Sequence, residues 1–86
     1  MALETKRISI DETAYTILGT GVTAFSATEY LVGSIRAIVI PTGDTAPLVG
    51  EADYVEWDNT FSYSNVAADI YMMSPLGQAW IGLVSA

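Results

Sequence analysis

The chain contains no histidine and no cysteine, and it has only three basic side chains against ten acidic ones. Histidine is the usual proton shuttle near neutral pH, and thiolates and imidazoles are the usual nucleophile-activating and transition-metal groups. Without histidine, none of the many Ser and Thr hydroxyls has the base that would make it a nucleophile. We therefore expect no catalytic residue, no cofactor and no metal site, and predict that the protein is not an enzyme.

The shortage of basic residues also limits the partners. The net charge is -7, and Lys6, Arg7 and Arg36 cannot form the basic patch that nucleic acids and anionic membranes require. The first residues lack the apolar segment of a secretory signal, and no stretch approaches the ~20 apolar residues of a membrane helix. We expect neither direct nucleic-acid binding nor a membrane location, and predict synthesis in a cytoplasm.

The 86 residues are enough for one domain, and we predict an N-terminal arm of residues 1–5 followed by a single β domain of residues 6–86. A core of this size supplies little net stability on its own, and small domains usually add a disulfide, a structural metal or an oligomeric contact. The first two require cysteine or histidine here. Association with other chains therefore remains, and we expect a homo-oligomer or an assembly subunit.

Apolar and polar residues alternate with a period of two, and turn-forming residues recur at intervals of roughly ten residues, as in small all-β domains. We predict a small antiparallel β-sandwich or jelly-roll-like module of about six to eight short strands. The candidate strands are residues 6–10, 14–18, 22–27, 34–40, 53–57, 61–64, 69–73 and 78–84.

Three turn signals separate these strands. Gly19-Thr20-Gly21 is expected to end one strand, because glycine accepts positive φ. Asp58-Asn59-Thr60 is typical of a hairpin connection. Ser74-Pro75-Leu76-Gly77 places proline and glycine as a type I turn prefers, and predicts a hairpin between the two C-terminal strands.

Four carboxylates, those of Glu51, Asp53, Glu56 and Asp58, lie within eight residues. Such oxygen ligands can bind calcium, but their spacing does not match an EF-hand loop, and alternation puts Asp53 and Glu56 on opposite faces. A pair for glycoside hydrolysis would need two opposed carboxyl groups in a cleft that a small sandwich rarely offers. A solvated loop edge is the interpretation we favour.

The aromatic residues suggest a contact surface, since Trp and Tyr are enriched at interface hot spots. A small domain also needs large side chains in its core, so each aromatic residue has a core alternative. Arg36 interrupts the strongest strand and must reach either solvent or a carboxylate; the partners we expect are an acid of residues 51–58 or Asp69, within the subunit or across an interface. The candidate interface residues are Arg36, Tyr54, Trp57, Tyr71 and Trp80.

Three segments resemble the short all-β structural proteins of tailed-bacteriophage virions, notably capsid decoration or cement proteins and small fibre-attached subunits. They are Arg36-Ala37-Ile38-Val39-Ile40, Gly43-Asp44-Thr45-Ala46-Pro47 and the C-terminal residues 69–84. The resemblance implies a non-catalytic subunit, often trimeric, that docks on a major capsid or other virion protein and strengthens the shell.

Two further functions stay open. A small β-sandwich of this kind could be a binding module that holds a carbohydrate or a peptide on its aromatic face, and it could equally be a tail or fibre-attachment component. A binding module should be a stable monomer, whereas an assembly subunit should associate.

Overall fold

The computed structural model describes residues 4–29 and 34–86, and within them every regular element is a β-strand. The strands are β1 Glu4–Ile10, β2 Thr16–Glu29, β3 Ile35–Pro41, β4 Val55–Trp57, β5 Thr60–Met73 and β6 Ala79–Ser85. They form one six-stranded sheet in the order β1-β6-β2-β5-β3-β4, with antiparallel neighbours. The predicted all-β fold is confirmed. The sheet is curled into a half-barrel, however, and does not form a clear sandwich.

The two long strands β2 and β5 run through both halves of the sheet. One half, the β6 wing, consists of β1, β6, residues 24–29 of β2 and residues 60–64 of β5. The other half, the β3 wing, consists of β3, β4, residues 16–19 of β2 and residues 68–73 of β5. The inner faces of both wings share one core, which joins Ile81 and Leu83 to Ile35, Ile70 and Met72.

The sheet bends where the pairing of β2 with β5 loses its register, between Ile17 and Ala24. Gly21 has a φ of 61°, which a residue with a Cβ adopts at a cost. A Cβ on Gly19 would lie only 3.2 Å from Val22 Cγ1, so glycine permits the close packing there. Bulges of this kind increase strand twist and bend. The glycines expected to end a strand therefore bend a single continuous strand of 14 residues.

The two predicted hairpins are wrong, although their turns exist. Gly77 N donates to Ser74 O at 3.3 Å, but β6 pairs with β1 and β2 and not with β5. Asn59 has a φ of 70° and sits at a sharp bend, but β4 pairs with β3. Each turn passes the chain from one wing to the other, so the residues that make a turn do not decide which strands pair.

β1 begins within the predicted arm of residues 1–5. Glu4 and Thr5, the end of the predicted arm, belong to β1 and pair with Ser85 and Val84; residues 1–3 lie outside the described residues. After β1 the chain turns at Asp11, whose Oδ1 accepts hydrogen bonds from the Thr13 hydroxyl at 2.6 Å and the Thr13 amide at 2.9 Å. These bonds lower the pKa of the Asp11 carboxyl.

Candidate interaction surfaces

The outer face of the β6 wing consists mainly of hydroxyl side chains. On this surface, which we call the hydroxyl face, the exposed hydroxyls are those of Thr5, Ser9, Ser26, Thr28, Thr60, Ser62 and Ser64. Gly82 lies between Arg7 and Thr28 in the ladder and has no side chain, so a shallow groove of about 450 Å³ crosses the face at this point. Trp80 is 36% exposed beside it, and the Arg7 guanidinium carbon lies 5.1 Å from the centroid of its ring. Such a face can donate and accept hydrogen bonds at many points.

The outer face of the β3 wing is apolar, and we call it the apolar face. Its side chains are those of Ile17, Ile38, Ile40, Tyr71 and Met73. Ile38 and Met73 are buried there although neither belongs to the shared core, whereas Ile17 is 40% exposed. A groove of about 470 Å³ separates β3 from loop residues 45–53, and Leu48 at its rim is 81% exposed. The chain itself therefore covers this face only in part.

Arg36 lies at one end of the apolar face, and its guanidinium carbon is 4.4 Å from the centroid of the Tyr54 ring. Glu56 is its direct neighbour across the ladder, but the structure shows no ion pair between Arg36 and any described residue, and its Nε has no hydrogen-bond partner among them. The carboxylate partner predicted within the subunit is therefore wrong. The Tyr54 ring takes its place, because a guanidinium is attracted electrostatically to the face of an aromatic ring. A partner across an interface stays a prediction.

Tyr15 adjoins this cluster. Its buried hydroxyl has no hydrogen-bond partner among the described residues. Burial raises the pKa of the Tyr15 hydroxyl, and the positive charge of Arg36 lowers it by a smaller amount. Tyr15, Arg36 and Tyr54 therefore give the apolar face one end that is both aromatic and cationic.

The other candidate interface residues occupy different surroundings. Trp57 is 8% exposed and lies in the shared core, where its ring centroid is 5.7 Å from that of Phe61. Its ring therefore serves the subunit's own core. Tyr71 is half-buried on the apolar face, and Trp80 stands on the hydroxyl face of the opposite wing. The structure brings Arg36, Tyr54 and Tyr71 to one wing and separates Trp80 from them.

Asp69 has a structural role that the sequence did not reveal. The residue is 5% exposed, and its carboxylate accepts hydrogen bonds from Gly21 N at 2.9 Å and from Gly43 N at 3.1 Å. One side chain on β5 thus fixes both the bend of β2 and the turn that follows β3. It does not pair with Arg36. Its only sequence signal is a polar residue beside an apolar run, and that signal predicts a partner for Arg36 rather than an acceptor for two glycine amides.

The acidic segment lies on the surface. Glu51, Asp53, Glu56 and Asp58 are all exposed, and Asp53 N donates to Glu51 Oε2 at 3.1 Å. Among residues 4–29 and 34–86 no three acidic side chains converge as metal ligands would. The same residues form no helix long and apolar enough to cross a membrane.

No protein-family model matches the chain, no curated protein sequence matches it, and no solved structure matches it. The resemblance to phage virion proteins therefore stays a prediction.

Proposed function

We propose that the protein is a non-catalytic structural subunit of a virion, a capsid decoration or cement protein that associates with its own copies and docks on a shell protein. The observation that carries this proposal is the apolar face. Ile17 on β2 and Tyr71 on β5 are direct cross-strand neighbours whose side chains point away from the core. Exposed apolar residues on adjacent strands are typical of contact sites in assemblies.

The size of the chain supports the same conclusion. A domain of 86 residues that places Ile17, Ile40 and Tyr71 outside its core leaves part of its hydrophobic free energy unused until a partner covers them. Docking on a shell would supply that burial. An acidic subunit would also be repelled by packaged nucleic acid, which suits a position on the outside of a particle.

The docking surface can be tested on particles from which the protein has been stripped. We expect the purified chain to bind them again and Ile17→Thr to bind at least tenfold more weakly, because Ile17 contributes apolar area to the contact. Val66→Thr is the matched control, since Val66 is 73% exposed on a strand but lies outside the apolar face. Equal binding by all three proteins would contradict the apolar face as the docking surface.

The copy number per particle then separates a head from a tail location. A decoration protein occurs in numbers comparable to those of the shell subunit, whereas a tail or fibre-attachment component occurs in few copies. Quantitative mass spectrometry of purified particles measures this ratio directly. A low ratio would replace the decoration role with the tail role, and absence from the particle would remove both.

A carbohydrate-binding module is the second candidate, and the hydroxyl face favours it. Exposed Trp80 beside a groove with Thr5, Ser26 and Thr28 offers a ring for stacking and hydroxyls for hydrogen bonds. Arg7 already covers that ring, which is why we prefer the assembly role. Binding of a glycan that is lost in Trp80→Ala, by a chain that remains monomeric, would reverse this preference.

A further inference from the structure

The described sheet has two edges, and their charges are opposite. β1 forms one edge and carries Lys6 and Arg7, two of the three basic residues of the whole chain, against the single acid Glu4. β4 forms the other edge, and residues 51–58 around it contain four acids. In the described residues β1 pairs with β6 alone and β4 with β3 alone. Each edge therefore presents backbone groups that another strand can pair with.

The side chains at the two edges match when the sheet is continued from one copy to the next. On β1, Ile8 packs against the core while Arg7 points outward beside Gly82. On β4, Val55 lies opposite core residue Ala37, and Glu56 lies opposite Arg36 on the outer side. Antiparallel pairing with Arg7 opposite Glu56 places Ile8 opposite Val55 automatically, because the sum of paired residue numbers is constant along such a ladder.

We propose that copies of this chain associate head to tail, with β1 of one copy pairing antiparallel to β4 of the next, Arg7 opposite Glu56 and Ile8 opposite Val55. This inference depends on the proposed self-association and names its interface. Val55 is 61% exposed in the single chain, and the contact covers it. Two β1 edges could not pair equally well, because antiparallel pairing around their centre would bring the cations of both copies together. A head-to-tail contact closes into a ring when its rotation allows.

Charge reversal tests the pairing. We expect Arg7→Glu and Glu56→Arg each to weaken self-association in sedimentation velocity at least tenfold, since each puts like charges opposite one another. The double variant restores the pair at the native net charge and should associate as the natural chain does. An equimolar mixture of the two single variants should also associate, because each supplies the edge that the other needs. Asp44→Arg is the matched control, because it changes the net charge by the same amount as Glu56→Arg but lies in an exposed loop away from β4.

Engineered thiols test the register independently, since the chain has no cysteine of its own. The proposed register places Thr5 opposite Asp58, so mixing Thr5→Cys copies with Asp58→Cys copies should give the mixed disulfide as the main oxidised product. Mixing Thr5→Cys with Asp44→Cys is the control. Disulfides between two Thr5→Cys copies as the main product would mean β1-to-β1 pairing and would overturn the proposal.

The outcomes also separate this inference from the proposed function. If the chain associates but neither charge reversal weakens it, the edge pairing is wrong and the assembly role stands. If the natural chain is monomeric at every concentration, self-association fails and the edge pairing fails with it. If both reversals weaken association and the double variant restores it, the sheet edges are the interface.

Discussion

The two wings are built from the same two long strands, yet their outer faces differ. In the β6 wing, the outward residues of β2 and β5 are hydroxyls apart from Ala24, and Ser26 lies opposite Ser62. In the β3 wing, the same strands place Ile17 opposite Tyr71. Both wings turn apolar residues inward to one core. The outward residues therefore change from hydroxyls to hydrocarbons along each long strand, on either side of the bend.

The chain itself covers the apolar face only in part. Ile38 and Met73 are 6% and 5% exposed although they lie outside the core cluster, whereas Ile17 at the opposite side of the face is 40% exposed. A hydroxyl face can remain hydrated at little cost, but a half-covered apolar face still gains free energy from burial. The outer face of the β6 wing can therefore stay hydrated, whereas the outer face of the β3 wing is the surface that we propose for docking.

The largest predicted effect tests whether the wings share their interior. Ile81 in the β6 wing and Ile70 in the β3 wing are both 0% exposed. We expect Ile81→Ala and Ile70→Ala each to lower the free energy of unfolding by about 2 to 5 kcal/mol, through lost burial and the cavity that remains. Urea denaturation should show one cooperative transition in both variants. Separate transitions would mean two independent wings and would contradict a shared core.

The second prediction concerns the link between the wings. Asp69→Ala leaves the amides of Gly21 and Gly43 without their acceptor, and we expect the free energy of unfolding to fall by about 3 kcal/mol. Asp69→Asn retains an acceptor oxygen and should lose less. Asp44→Ala, which removes an exposed acid from the neighbouring turn, is the control and should change stability by less than about 0.5 kcal/mol. Equal effects of Asp69→Ala and Asp44→Ala would show that the buried carboxylate is not structural.

Most strands could be predicted from the sequence, because a strand with one buried face alternates apolar and polar residues and this pattern is local. Their pairing could not. The turn at residues 74–77 was predicted, yet β5 and β6 do not pair, because β2 lies between them. Gly19 and Gly21 were predicted to end a strand, but β2 continues through them. Glycine indicates a break in regular pairing, but it does not say whether the strand continues.

The candidate surfaces were predictable only in part. The alternation pattern put Tyr71 and Trp80 on strands, but it did not show that they would stand on opposite wings. Arg36 was recognised as unusual because charge within an apolar strand needs a partner. Its partner, the Tyr54 ring, precedes β4 and reaches Arg36 only because β4 returns alongside β3. Contacts of this kind depend on the path of the chain between strands, which local patterns do not encode.

The third prediction concerns Tyr15 at the end of the apolar face. Its hydroxyl is buried without a partner among the described residues, so Tyr15→Phe should raise the free energy of unfolding by about 1 kcal/mol at neutral pH. Because the pKa of Tyr15 is raised in the folded chain, the neutral phenol is the form that the fold favours, and stability should fall as the pH rises above the usual pKa of 10.0. Tyr15→Phe should lessen that alkaline loss. An unchanged alkaline profile would mean that the hydroxyl is hydrated.

The smallest predicted effect is the pairing of Arg36 with Tyr54, measured by a double-mutant cycle. Arg36→Met keeps the apolar stem and removes the charge, while Tyr54→Leu removes the ring. At a partly exposed site we expect a coupling free energy of about 0.5 to 1 kcal/mol between the two side chains. The cycle should first be measured under conditions in which the chain is monomeric. Zero coupling there would mean that the stacking contributes nothing to the stability of the subunit.

A coupling that increases on assembly would mean that a partner desolvates the pair, since the attraction between a cation and a ring strengthens when water is excluded. In that case Arg36 would belong to the contact surface of the β3 wing, and the difference between the two wings would extend from their composition to their energetics.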